Sequence, residues 1–128
     1  MPNLNSYDDI RSFSLYLFNA TKSMTSALNT KYEQDFHNCL QDSLLSLNNA
    51  QNYIKKVQNI DAVSSYSQTV KSAVEKMSSI TENILNDFNG FIDQASKTQF
   101  EKIDRTILDE FIKEMNMIAF LLSPLLFC

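Results

Sequence analysis

A single glycine, Gly90, stands in the 128 residues, and the only prolines, Pro2 and Pro124, lie near opposite ends. Tight hairpin turns depend on glycine, asparagine-glycine pairs and proline, so an all-β sandwich or barrel is strongly disfavoured. Glycine-rich phosphate loops are also excluded, because the backbone must approach the anion at several positions where a Cβ would intrude. Histidine is scarcer still as a chemical resource: His37 is the only one, with Cys39 and Cys128 as the only thiols. A zinc site built from several His or Cys ligands is out of supply. The carboxylate-bridged di-metal site of some helical bundles needs two Glu-x-x-His motifs, and Gln34 rather than Glu stands three residues before His37. His37 and Cys39 are two apart, which on a helix points them to different faces and argues against a catalytic pair. No cofactor and no metal is expected, and no catalytic residue is assigned.

Basic residues are also in deficit. The formal net charge is −4, Lys55-Lys56 is the only adjacent basic pair, and no basic stripe runs along any segment. Nucleic-acid binding, which draws on Lys and Arg at phosphates, is not expected. Two cysteines and no basic-then-apolar leader at the start of the sequence favour a reducing, cytoplasmic setting. No run of about 20 apolar residues is present, so no transmembrane segment is expected.

What the chain has is apolar surface at helical spacing. Apolar residues make up 44% and charged residues 20%, values of a globular chain and not of a disordered one. Residues 1–128 read as a single helical domain with an apolar tail at 117–128. Ser6-Tyr7-Asp8-Asp9 offers an N-cap and acids for a first helix. Ile10, Phe13, Leu17, Ala20, Met24 and Ala27 then step by three and four onto one stripe.

Thr30-Lys31-Tyr32-Glu33 has the form of a capping box for a second helix. Its stripe is Tyr32, Phe36, Cys39, Leu40, Leu44, Leu47, Ile54 and Val57. The alternative is an unbroken rod from Tyr7 to Gln58, roughly 75–80 Å long at 1.5 Å per residue. Asp61 is placed to cap a third helix, whose seam of Val63, Tyr66, Val70, Ala73, Met77, Ile80 and Ile84 extends to Phe88. Asn89-Gly90 closes that helix unless Phe91 and Ile92 carry it onward.

Thr98-Gln99-Phe100-Glu101 is a second capping box. It opens a fourth stripe of Phe100, Ile103, Ile107, Phe111, Met115, Ile118 and Leu122. Glu101 to Arg105 and Asp109 to Lys113 have the i,i+4 spacing of supporting ion pairs. Past Glu114 no charge occurs. Ser123-Pro124 is expected to break the helix, leaving Leu125-Leu126-Phe127-Cys128 as an apolar tag. The expectation is an all-α antiparallel bundle of four amphipathic helices near 7–28, 31–58, 62–89 and 99–122. The alternative is three long helices, the first two fused, in an elongated coiled-coil-like assembly. The same heptads serve contacts within and between chains, and a homo-oligomer is expected.

From Phe36 to Ile103 the order of features resembles the phasin family, the proteins that coat polyhydroxyalkanoate storage granules. Leu44 to Val57 form an amphipathic helix, Gln58-Asn59-Ile60-Asp61 a short Asp-containing link, and Gln68 through Phe88 a Gln-bearing helix of comparable length. The sequence departs from the family in lacking proline at the link, in using Ser and Asn where phasins favour Ala, and in its apolar tail. The resemblance implies adsorption without catalysis, with Val63, Val70, Met77 and Ile84 against a hydrophobic polymer granule or a lipid-like surface. The tail residues Phe120, Leu125, Leu126 and Phe127 are further candidates for surface or partner contact. The competing expectation is a bundle that binds a protein partner, as an immunity factor, chaperone or dimerisation partner.

Overall fold

The computed structural model describes the backbone of residues 2–59 and 68–126 and the side chains of 8–57, 68 and 71–122. Four helices account for most of them: α1 (Pro2–Asn29), α2 (Glu33–Asn59), α3 (Gln68–Ser96) and α4 (Thr106–Leu126), with a 3-10 turn at Phe100–Lys102. No strand occurs among the described residues. Asp61, Val63 and Tyr66, which the sequence assigned to the start of the third helix, lie outside them.

Each helix packs on two others, α1 on α2 and α4, and α3 on α2 and α4, so the four close a ring around one core. The contacts set the directions. Tyr16 of α1 stacks on Tyr53 of α2 with ring centroids 5.6 Å apart. The Thr21 hydroxyl reaches the Met115 sulfur at 3.6 Å, while further along α1 the Ala27 carbonyl meets Arg105 at 3.2 Å. Numbers rise along α1 as they fall along α4, so these neighbours are antiparallel, as the short link at residues 30–32 requires for α1 and α2.

That link rules out the fused rod. The last bond of α1 runs from the Thr30 N–H to the Ser26 carbonyl at 2.9 Å, and the first of α2 from the Phe36 N–H to the Tyr32 carbonyl, also 2.9 Å. The Thr30 hydroxyl accepts from the Tyr32 N–H at 3.3 Å, one residue short of the Glu33 N–H that a capping box would use. At its start α1 reaches back to Pro2, so Ser6-Tyr7-Asp8-Asp9 lies inside the helix and not at its cap. Proline is well suited to a first turn, where its missing N–H has no partner to lose.

The seams fall at three-four spacing throughout. All six expected α1 residues, from Ile10 to Ala27, are buried, and α2 buries Phe36, Leu40, Leu47, Ile54 and Val57 as expected. Tyr32 is instead exposed, and Ser43, Ala50 and Gln51 are buried in α2. In α3 the seam is Val74, Met77, Thr81, Ile84, Phe88, Phe91 and Ala95, one residue out of phase with the expected Ala73 and Ile80. The helix does not end at Asn89-Gly90. Gly90 has an ordinary helical φ, and Phe91 and Ala95 extend the core by nearly two turns.

The fourth helix starts later than the capping box suggested. The Thr98 hydroxyl donates to the Gln94 carbonyl at 2.7 Å, finishing α3 rather than opening α4. Ile103 is extended, and Asp104 accepts from the Thr106 N–H at 3.1 Å and the Thr106 hydroxyl at 2.6 Å, which caps α4. Leu108, not Ile107, then enters the core with Phe111, Met115, Ile118 and Leu122. At the other end the helix continues through Pro124 to Leu126 instead of breaking at Ser123. Only two helical residues follow the proline, so the hydrogen bond it cannot donate is lost in the last turn alone.

Candidate functional site

Reactive groups are sparse and separated. His37 is half-buried, with its ring edge-on to that of Phe36 at 5.3 Å. Cys39 is half-buried rather than buried, and its thiol is held above the ordinary thiol range by burial first, then by the carboxylates of Asp42 and Asp35. That disfavours the thiolate that a nucleophile needs. Among the described residues no three His, Cys, Asp or Glu side chains are placed to hold a metal ion.

Apolar surface is the more distinctive feature. Leu15 and Phe18 project from α1 at 59% and 65% exposure, and Met117 and Phe120 from α4 at 60% and 82%. The Thr21–Met115 contact fixes their relative level. Phe18 is three residues before Thr21 and Ile118 three after Met115, so in an antiparallel pair both lie about 4.5 Å along the same direction. Leu15 and Phe18 therefore share a level with residues 118–121 of the adjacent helix, placing Phe120 between them in height. Both α1 residues also line a shallow concavity of about 600 Å³ with Asp8, Arg11, Ser12 and Ser14.

The other residues expected at a surface are distributed differently. Met77 and Ile84 are fully buried in the core, so they reach a surface only if the bundle opens. The side chains of Val70, Leu125 and Leu126, and all of Val63 and Phe127, lie outside the described residues. No helix among those described is long and apolar enough to cross a membrane.

The chain matches no family model, no curated protein and no solved structure. Function must therefore be read from the geometry.

Two polar features escaped the sequence reading. Gln51 is 4% exposed and both polar atoms of its amide are buried without a hydrogen-bond partner. About 14 Å along α1 from Phe18, Arg105 Nη1 donates to the carbonyls of Ala27, Leu28 and Thr30 at the C-terminus of α1. Its guanidinium lies 5.1 Å from the Phe36 ring centroid and 4.6 Å from that of Phe100. Leu15 and Phe18 carried a signal in principle, since two large apolar residues fell off the α1 stripe. Gln51 carried none, because one glutamine among many polar residues of α2 has no distinguishing spacing.

Proposed function

We propose that this protein is a non-enzymatic amphipathic bundle that adsorbs to a hydrophobic surface, in the manner of a phasin on a polymer granule. The observation that carries the reading is the exposure of Phe120, Met117, Phe18 and Leu15 at one level of adjacent helices. Taking the exposed parts of these side chains out of water contributes about 1–2 kcal/mol each, or about 4–8 kcal/mol together. That is the scale of a single acyl chain, sufficient for a reversible first contact and too little for a lasting coat.

A lasting coat follows from opening. When a helix leaves the bundle and lays its seam on an apolar surface, burial of Met77, Ile84 and their neighbours is largely conserved. The cost is then lost packing and lost polar pairing. Gln51 lowers that cost, since its amide has no partner in the closed bundle and gains water on opening. Self-association is part of the proposal, because helices laid side by side on a granule meet one another laterally. The net charge of −4 would keep coated particles apart.

The test is partitioning of the purified protein onto polyhydroxybutyrate particles or triglyceride droplets. Wild type is expected in the particle fraction, with Val70→Asp plus Met77→Asp weakening adsorption of the opened state. Partitioning no higher than that of an unrelated helical bundle rejects the reading.

A further inference from the structure

The surface-binding reading leaves the groove between α3 and α4 unused. Its floor is aromatic: Phe91 and Phe111 lie with ring centroids 6.5 Å apart, and Ile107 is partly exposed beside them. The cavity is about 400 Å³ and continues into a second of about 300 Å³ that shares Phe91, Gln94 and Ile107. From Asn86 to Ala95 the combined depression follows about 13–14 Å of α3, or two and a half turns, and continues past the helix end to Thr98.

The walls differ from the floor. Asp87 on α3 and Glu110 and Glu114 on α4 are exposed along the larger half. Neither the Lys97–Asp93 nor the Lys113–Asp109 ion pair involves them. Among the described lining residues the cation is Lys102, which lies in the far half with Asp104. Gly90 makes a notch in this wall, since a Cβ built there meets no atom within 4 Å.

We propose that this groove docks a cationic amphipathic helix from another protein. One bulky apolar side chain of that helix sits in the notch at Gly90 against Phe91 and Phe111, and its flanking Lys or Arg residues face Asp87, Glu110 and Glu114. Helix-in-groove binding uses this division of labour, with apolar anchors for affinity and complementary charge for orientation and partner choice. A second copy of this chain is disfavoured in this groove because no segment of the sequence carries a basic stripe to face these carboxylates, and an anionic membrane is disfavoured by the same carboxylates.

The experiment is fluorescence anisotropy of a labelled Leu/Lys amphipathic peptide of about 18 residues, titrated with the full chain. Saturable one-to-one binding is expected, weakened about tenfold or more when the peptide's Lys residues are replaced by Glu. Gly90→Leu fills the notch without altering charge and places a good helix former in a helix interior. It should weaken binding about tenfold while the circular-dichroism melt is unchanged or higher.

Glu110→Lys with Glu114→Lys should weaken it similarly, whereas Asp8→Lys with Glu75→Lys, the same charge change at exposed positions outside the groove lining, should alter it less than about threefold. No saturable binding, wild-type affinity in folded Gly90→Leu, or equal losses from the two charge reversals each overturns the proposal. Sedimentation showing a dimer that Gly90→Leu dissociates would instead assign the groove to a second copy. Because Gly90 and the carboxylates are separate from Phe120 and Phe18, failure here leaves particle adsorption untouched, and the converse holds.

Discussion

Replacing Arg105 with alanine should loosen the end of the bundle where α1, α2 and α4 meet, although the side chain forms no ion pair with a carboxylate among the described residues. Its Nη1 faces three carbonyls left without intrahelical donors at the end of α1. One nitrogen with two hydrogens satisfies at most two of them well. Charged hydrogen bonds of this kind are worth about 1.5–3 kcal/mol, a cation at a helix C-terminus about 0.3–1, and stacking on Phe36 and Phe100 about 0.5–1. These contributions overlap and the guanidinium is half-exposed, so the loss expected for Arg105→Ala is about 2–3 kcal/mol. Urea unfolding followed by circular dichroism would read this as a lower midpoint at unchanged m, or about a 10 °C fall in Tm.

Arg105→Lys keeps the charge and loses the planar fork, so it should fall between wild type and alanine. Glu101→Gln should be neutral. The pair expected from i,i+4 spacing requires a helix, and Phe100–Lys102 is a 3-10 turn followed by extended Ile103. Arg105→Ala within about 0.5 kcal/mol of wild type, or a large effect of Glu101→Gln, would refute the assignment of Arg105 as a clasp on α1.

Three further outcomes follow from the same structure. Gln51→Leu removes a buried amide with no partner and should raise stability by about 1–3 kcal/mol in urea unfolding, with slower transfer onto particles; a destabilised variant would contradict the closed-seam geometry. Cys39 should react slowly with iodoacetamide at neutral pH. Its raised thiol favours the protonated form, so alkylation should accelerate only above the ordinary thiol range, and Asp35→Asn with Asp42→Asn should speed it at fixed pH.

Asp104 is held below the ordinary carboxylate range by hydrogen bonds from the Thr106 hydroxyl and then the Thr106 N–H. Its contribution to α4 is therefore complete above the unfolded carboxylate value and lost as pH falls through the lower folded value. Amide exchange at the start of α4 should show that loss in wild type and be insensitive to it in Asp104→Asn.

The fold was legible where one residue type dominated each heptad position. On α1 the stripe from Ile10 to Ala27 stepped by three and four without a gap, and although Tyr16, Phe18 and Leu28 stood one place from it, every expected residue is buried. On α3 two seams one residue apart competed, and Ile80 outranked Thr81 on hydrophobicity. The structure buries Thr81 because its hydroxyl donates to the Met77 carbonyl at 2.7 Å, removing the penalty that counted against it. Ile107 and Leu108 presented the same ambiguity, resolved by the late start that Asp104 imposes on α4.

Gly90 was read as a stop because glycine is common there. In this chain it sits within a helix, beside an open groove. The apolar character of Phe120 was visible in the uncharged run after Glu114, but its partnership in level with Leu15 and Phe18 depends on the register of α1 against α4. Arg105 escaped for the same reason, since its acceptors are more than seventy positions away.

The most direct measurement compares wild type with Met117→Asp plus Phe120→Asp in sedimentation with polyhydroxybutyrate particles. Both side chains are exposed, so the variant should keep its helical content and melt. If exposed apolar surface is what this protein offers its surroundings, wild type moves to the particles and the folded double variant stays in solution. Equal adsorption of the two, or wild type remaining wholly in solution, would contradict it.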